Sequence, residues 1–202
     1  MNRFRKLFTF LLAGMMIFSG ALLSNRDAFA AVRYTSYANR GTGYYYSQAG
    51  WWSVSSEVRS GKNGCGITAF ATAASILYGK RITPRKVAEA TYRRGYWNLR
   101  GNTPTNLVRK LASAAGLKST TISKSWKSML SALLKNRILV IRSHGTKPFT
   151  SGGHYVTVVG ARSDGYFKIV DPGDKSYRPK WIYYSNFMKS MTSSTTIFAL
   201  GR

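Results

Sequence analysis

Fourteen consecutive residues, Cys65 to Tyr78 (Cys-Gly-Ile-Thr-Ala-Phe-Ala-Thr-Ala-Ala-Ser-Ile-Leu-Tyr), carry no charge and only small hydroxyls as polar groups. Ala69, Ala73 and Leu77 recur at four-residue steps, as do Phe70 and Ala74. A helix that is apolar nearly all round cannot lie on a surface and needs other elements on every side. Gly79 ends it. At its head, Asn63-Gly64-Cys65-Gly66 reads as a tight turn that places the single cysteine of the chain at the first helical residue. A helix N-terminus presents unpaired N–H groups and about half a positive charge, which favours an anionic sulfur. The flanking glycines let other backbone approach closely. The same stretch also suits a small buried cysteine that does no chemistry.

Residues 1–30 read as a secretory signal. Arg3, Arg5 and Lys6 form a basic start, Leu7 to Leu23 is apolar, and Ala28-Phe29-Ala30 is a small-x-small cleavage site before Ala31. An uncleaved anchor is the alternative, although the apolar run is short for a membrane span. Residues 31–43 form a polar, glycine-containing lead-in. Residues 44–202 are long enough for one domain with a real core. With one cysteine, an exported chain cannot form an internal disulfide. A lone thiol exposed to oxidation points to chemistry rather than to packing, which alanine would serve as well.

Four of the 31 basic residues and one of the six acidic ones lie in residues 1–30, so 27 basic and 5 acidic residues remain, a net of +22. Such a field attracts polyanions outside the membrane, the candidates being anionic cell-wall polymers, anionic lipid head groups and extracellular nucleic acid. The positive charges are scattered, and no nucleic-acid motif is present. The alternative is a generally basic surface that aids solubility.

Tyr44-Tyr45-Tyr46-Ser47-Gln48 leads an aromatic stretch through Trp52, expected as a short strand or turn beside the core. Gln48 is the lone amide among rings, either a donor to an oxyanion or a surface turn residue. After the cysteine helix, Thr83-Pro84 caps and opens a helix to about Arg94. Thr103-Pro104 opens another, which Gly116 stops after Ala115. A fourth begins near Ser123 or Ser125 and ends near Asn136. The second half changes character. Ile138-Leu139-Val140-Ile141, His154 to Ala161, Gly165 to Asp171 and Thr195 to Leu200 read as strands, with Ser163-Asp164-Gly165 as a hairpin turn and Trp181 to Met188 irregular or helical. Helices first and an antiparallel sheet second make an α+β fold.

Only two histidines are present. His154 opens one strand of the hairpin and Asp171 closes the other, so both lie at one end of the sheet. An acid that holds one imidazole nitrogen leaves the other for a thiol. The alternative is a histidine merely solvated at a strand end. His144 ends a strand in a polar loop and reads as structural or surface.

Gln48 with nearby tryptophans, Asn63-Gly64-Cys65-Gly66 opening an alanine-rich helix, Gly153-His154-Tyr155-Val156-Thr157-Val158-Val159-Gly160 and Val170-Asp171-Pro172 together resemble the papain-like cysteine peptidases of the bacteriocin-processing type. That family includes the double-glycine leader peptidase domain of bacteriocin exporters and stand-alone secreted relatives. The resemblance spans about Tyr44 to Leu200. It implies a papain-like fold, with the cysteine on a central helix of an N-terminal helical half packed on a C-terminal antiparallel β-sheet. It implies Cys65 as nucleophile, His154 as base, Asp171 as the residue that orients it and Gln48 as oxyanion donor. Ile67 departs from the family, which most often has proline there. No transporter membrane or nucleotide-binding domain follows, so leader processing inside an exporter is not implied.

The expected activity is a secreted or wall-associated monomer that hydrolyses peptide amides without metal or cofactor. One cysteine and two histidines are too few and badly spaced for a zinc cluster. Two alternatives stay open: a peptidoglycan hydrolase of similar fold acting on cell-wall peptide, and a non-catalytic cationic wall-binding protein.

Overall fold

The cysteine helix forms with the predicted bounds, Cys65–Tyr78 (α1), and ends on Gly79 in the left-handed conformation at φ 64°. The computed structural model describes residues 44–48, 52–53, 59–60, 63–174, 176 and 178–202. These belong to one compact unit, Tyr34–Arg202. The expected signal peptide and lead-in lie outside the described residues.

A two-stranded ribbon, β1 (Trp52–Ser53) and β2 (Arg59–Ser60), precedes α1. Then come α2 (Pro84–Arg93), α3 (Leu107–Ala114), β3 (Lys118–Ile122), α4 (Trp126–Leu134), β4 (Ile138–Ser143), β5 (His154–Ala161), β6 (Tyr166–Val170), β7 (Lys180–Tyr183), α5 (Tyr184–Lys189) and β8 (Thr196–Gly201). The six later strands form one antiparallel sheet in the order β3-β8-β4-β5-β6-β7.

Helices cover both faces of this sheet. Ile138, Val140, Tyr155, Val159, Phe198 and Leu200 face a core shared with α1, α2 and α3. Their neighbours Leu139, Ile141, Val156, Val158, Ile197 and Ala199 face a second core shared with α4 and α5. Burial on both sides explains why β4 and β5 read as continuous apolar runs rather than alternating ones. Each fully buried leucine, isoleucine or valine contributes about 1.5–3 kcal/mol, so these central strands anchor the site that hangs on their ends. The small side chains of α1 let it sit close to β5, where the Thr157 hydroxyl donates to the Ala69 carbonyl at 3.0 Å.

Three details differ from the sequence reading. Helix α3 starts at Leu107, because the Thr103 hydroxyl donates to the Asn63 carbonyl at 2.9 Å instead of capping a helix. Trp181 to Met188 resolves into β7 followed by α5. Strand β3 adds an edge to the sheet from within the helical half. Its run Lys-Ser-Thr-Thr-Ile has little apolar surface to announce it, and four of its five partners on β8 supply that surface.

Candidate active site

Residues 44–48 run irregularly along α1, not as a strand. The Tyr44 hydroxyl donates to the Gly79 carbonyl at the far end of α1, Tyr46 reaches Ser75 one turn earlier, and Gln48 arrives beside its N-terminus. The tyrosines pack on the core, which explains the aromatic run. Two bonds then pin the chain: Gln48 N–H to the Pro172 carbonyl at 2.8 Å and the Ser47 hydroxyl to the same oxygen at 3.2 Å. Gln48 is thus tied to the residue that follows Asp171. Its Oε1 is buried with no hydrogen-bond partner among the described residues.

Cys65 is the first residue of α1 and is 7% exposed. Its N-cap Gly64 has no side chain with which to bond the first-turn N–H groups. Gly66 is required for space, since a Cβ there would come 2.5 Å from Thr103 Cγ2. Thr103 therefore fixes the turn twice, by its hydroxyl on Asn63 and by its methyl on Gly66. Beside it, the Tyr155 hydroxyl donates to the Pro104 carbonyl at 3.2 Å and ties this loop to β5.

His154 heads β5 opposite Ser143 of β4. Its Nε2 lies 2.6 Å from Asp171 Oδ1, which also accepts from Gly173 N–H at 2.8 Å. A bulge in β5 sets this contact. Beyond the hairpin turn the pairs run Ala161↔Phe167 and Gly160↔Lys168, but after the bulge they run Val158↔Ile169 and Thr157↔Val170. The continued ladder puts Asp171 opposite Val156, on the face that His154 shares. Without the one-residue shift Asp171 would stand opposite Thr157, on the face turned to α1.

Cys65 and the His154 ring line the same cleft, and the sulfur is near enough to raise the pKa of the ring. Since Nε2 is engaged by Asp171, Nδ1 is the nitrogen left for sulfur. Burial, the largest influence on His154, pushes its pKa down. Asp171, through its hydrogen bond and charge, and the nearby sulfur of Cys65 outweigh burial and hold it at about 9.

Gln48, Cys65, His154 and Asp171 all line one cleft of about 850 Å³. His144 lines it too, which the sequence reading missed. Its Nδ1 lies 3.0 Å from the Ser151 carbonyl, and its ring packs so closely on Gly153 that a Cβ there would come 2.9 Å from it. The signal was available, since the residue just after β4 lies near the one opening β5. Among the described residues no cluster of three His, Cys, Asp or Glu side chains could hold a metal ion, and no helix is long and apolar enough to cross a membrane.

A buried helix headed by cysteine, laid against an antiparallel sheet, defines the class: this is a papain-like cysteine peptidase, a hydrolase. Residues 43–194 match the model of the Peptidase_C39 like family, and the chain belongs to that family. Its fold is similar to a C39-like peptidase from Bacillus anthracis, with a TM-score of 0.53 and 15% identity over 80% of this chain and 96% of that one. It is also similar to the peptidase domain of Streptococcus ComA, a bi-functional ABC transporter involved in a quorum-sensing pathway. There the TM-score is 0.49, with 18% identity over 69% of this chain and 93% of that one. No curated protein matches the chain.

Proposed function

We propose that this peptidase is exported and hydrolyses peptide amide bonds with Cys65 as nucleophile, His154 as general base and acid, Asp171 as its orienting partner and Gln48 as oxyanion donor. The observation that carries the reading is the meeting of Cys65 and His154 in one cleft, with His154 Nε2 held by Asp171 at 2.6 Å. A ring held protonated beside the sulfur is what a thiolate–imidazolium pair requires.

The sulfur attacks the carbonyl carbon, and the C=O electron pair moves to oxygen. The Cys65 backbone N–H and the Gln48 amide face that charge. The buried Gln48 Oε1 has no partner among the described residues, and a half-turn of the amide presents NH2 at the same place. His154 then protonates the amine as the C–N bond breaks, leaving a thioester on Cys65. Water, deprotonated by His154, releases the acid and regenerates the thiol.

The test is the pH profile of Cys65 alkylation by iodoacetamide, with hydrolysis of a peptide library measured in parallel. Labelling should be fast at about pH 6, where an ordinary thiol is almost inert, and His154→Ala should slow it there. Cys65→Ser should abolish hydrolysis. Gln48→Ala should leave labelling nearly intact while lowering turnover by about 10²-fold, as for one lost oxyanion donor. Identical alkylation profiles for wild type and His154→Ala would sink the ion pair and the catalytic roles with it.

A further inference from the structure

All four carboxylates among the described residues are already engaged. Glu89 pairs with Arg85 and Arg93, Asp164 with Arg162, Asp171 with His154, and Asp174 with Lys180 at 2.6 Å. Arg142, Lys147 and Arg178 line the cleft that holds Cys65 and His154, and none of them pairs with a carboxylate among the described residues. A chain this basic puts cations beside many clefts, so position decides. Arg142 stands next to last in β4, opposite Tyr155 and one residue before the partner of His154. It is half-buried and lines the cleft together with Tyr155 and Cys65. A half-buried guanidinium without an anion is costly relative to one that has a partner. Its planar fork fits a carboxylate in two-bond geometry.

We propose that Arg142, flanked by Lys147 and Arg178, forms a carboxylate-binding subsite in this cleft, so that the favoured substrate is a peptide with an acidic side chain beside the scissile amide. This rests on Cys65 being the nucleophile. Lys147 and Arg178 are exposed and approach from the β4–β5 and β6–β7 loops, so they draw the acid in, and Arg142 fixes it. The Lys180–Asp174 pair closes the same side and leaves no free carboxylate there to repel it.

The experiment compares two alkylating reagents of similar size on the intact chain at low salt. Iodoacetate carries the carboxylate and iodoacetamide does not, and both displace iodide from carbon by attack of the same sulfur. The ratio of their rates, normalised to a small free thiol, cancels the reactivity of the sulfur itself. The expected ratio favours iodoacetate by roughly tenfold or more, the worth of one charge-assisted hydrogen bond. Arg142→Gln should remove most of that preference; the ratio cancels any change in the reactivity of the sulfur, and a urea midpoint close to that of wild type reports that the variant is folded. Lys135→Gln, which removes an exposed charge at the opposite end of β4, should leave the ratio unchanged. The double variant Lys147→Gln/Arg178→Gln, confined to exposed side chains, should lower it about threefold and carries the test if Arg142→Gln does not fold. A wild-type ratio equal to that of the free thiol, or an equal effect of Arg142→Gln and Lys135→Gln, would overturn the subsite. A Cys65 inert to both reagents removes the nucleophile instead, and the subsite falls with it.

Discussion

His154 is pulled in two directions, and the outcome sets a pH dependence. Burial favours the neutral ring, while Asp171 and Cys65 favour the charged one and prevail, with a folded pKa of about 9 against 6.5 in the unfolded chain. A raised pKa means that the folded state holds the proton more tightly. The resulting stability is fully present below about pH 6.5 and is lost as pH rises through about 9. A shift of this size corresponds to about 3 kcal/mol as an upper bound. Urea unfolding at pH 6 and at pH 10 should show the loss in wild type and a much smaller one in Asp171→Asn; equal losses in both would show that His154 is not the group responsible. The catalytic candidates were legible in the sequence because chemistry-bearing side chains are scarce, with one cysteine and two histidines. Arg142 and Thr103 were not legible. An arginine among 31 basic residues carries no mark in the sequence, and a threonine before a proline reads as a helix cap, which hid the role of Thr103. Their significance comes from what the fold puts beside them.

At the scale of elements, α1 was readable to the residue because an all-round apolar helix with a glycine stop has few alternatives. The His-to-Asp hairpin was readable in outline, but its register was missed. The bulge between Val158 and Gly160 puts Asp171 on the face of His154; Gly160 inside a strand run is a bulge signal that the sequence reading did not use. Strand β3 and the late start of α3 were hidden for another reason, since both are set by partners distant in sequence. The junction of α1 with the loop before α3 yields a separable prediction. Gly66→Ala would drive its new methyl against Thr103 Cγ2 at 2.5 Å, with an expected destabilisation of roughly 1–3 kcal/mol. Thr103→Ser removes that methyl and keeps the hydroxyl on Asn63. The double variant should therefore recover at least half of the loss, a coupling of about 1 kcal/mol measurable from urea midpoints. Simple addition of the two effects would mean that the clash is relieved elsewhere.

On the scale of the whole molecule, charge and export belong to the same proposal. The basic start, short apolar run and Ala-x-Ala site of residues 1–30 predict a mature protein beginning at Ala31. N-terminal sequencing of protein from the medium or the wall fraction checks this, and recovery of intact residues 1–30 in membranes would refute it. The remaining chain carries +22, and we propose that anionic wall polymer supplies its counter-charge after export. Fields from exposed charges reach only about 8 Å at 0.15 M ionic strength, so binding that comes from net charge has to weaken steeply from low to physiological salt. Co-sedimentation with purified walls across a salt series should show this decline, and removal of the anionic polymers should abolish most of the binding. Cys65→Ser should bind as wild type does, because attraction by net charge does not pass through the cleft. Arg142→Gln changes one charge in many and should bind nearly unchanged as well, while losing its preference for iodoacetate. Binding that survives both high salt and polymer removal would instead point to a specific wall ligand, and the electrostatic account would have to be abandoned.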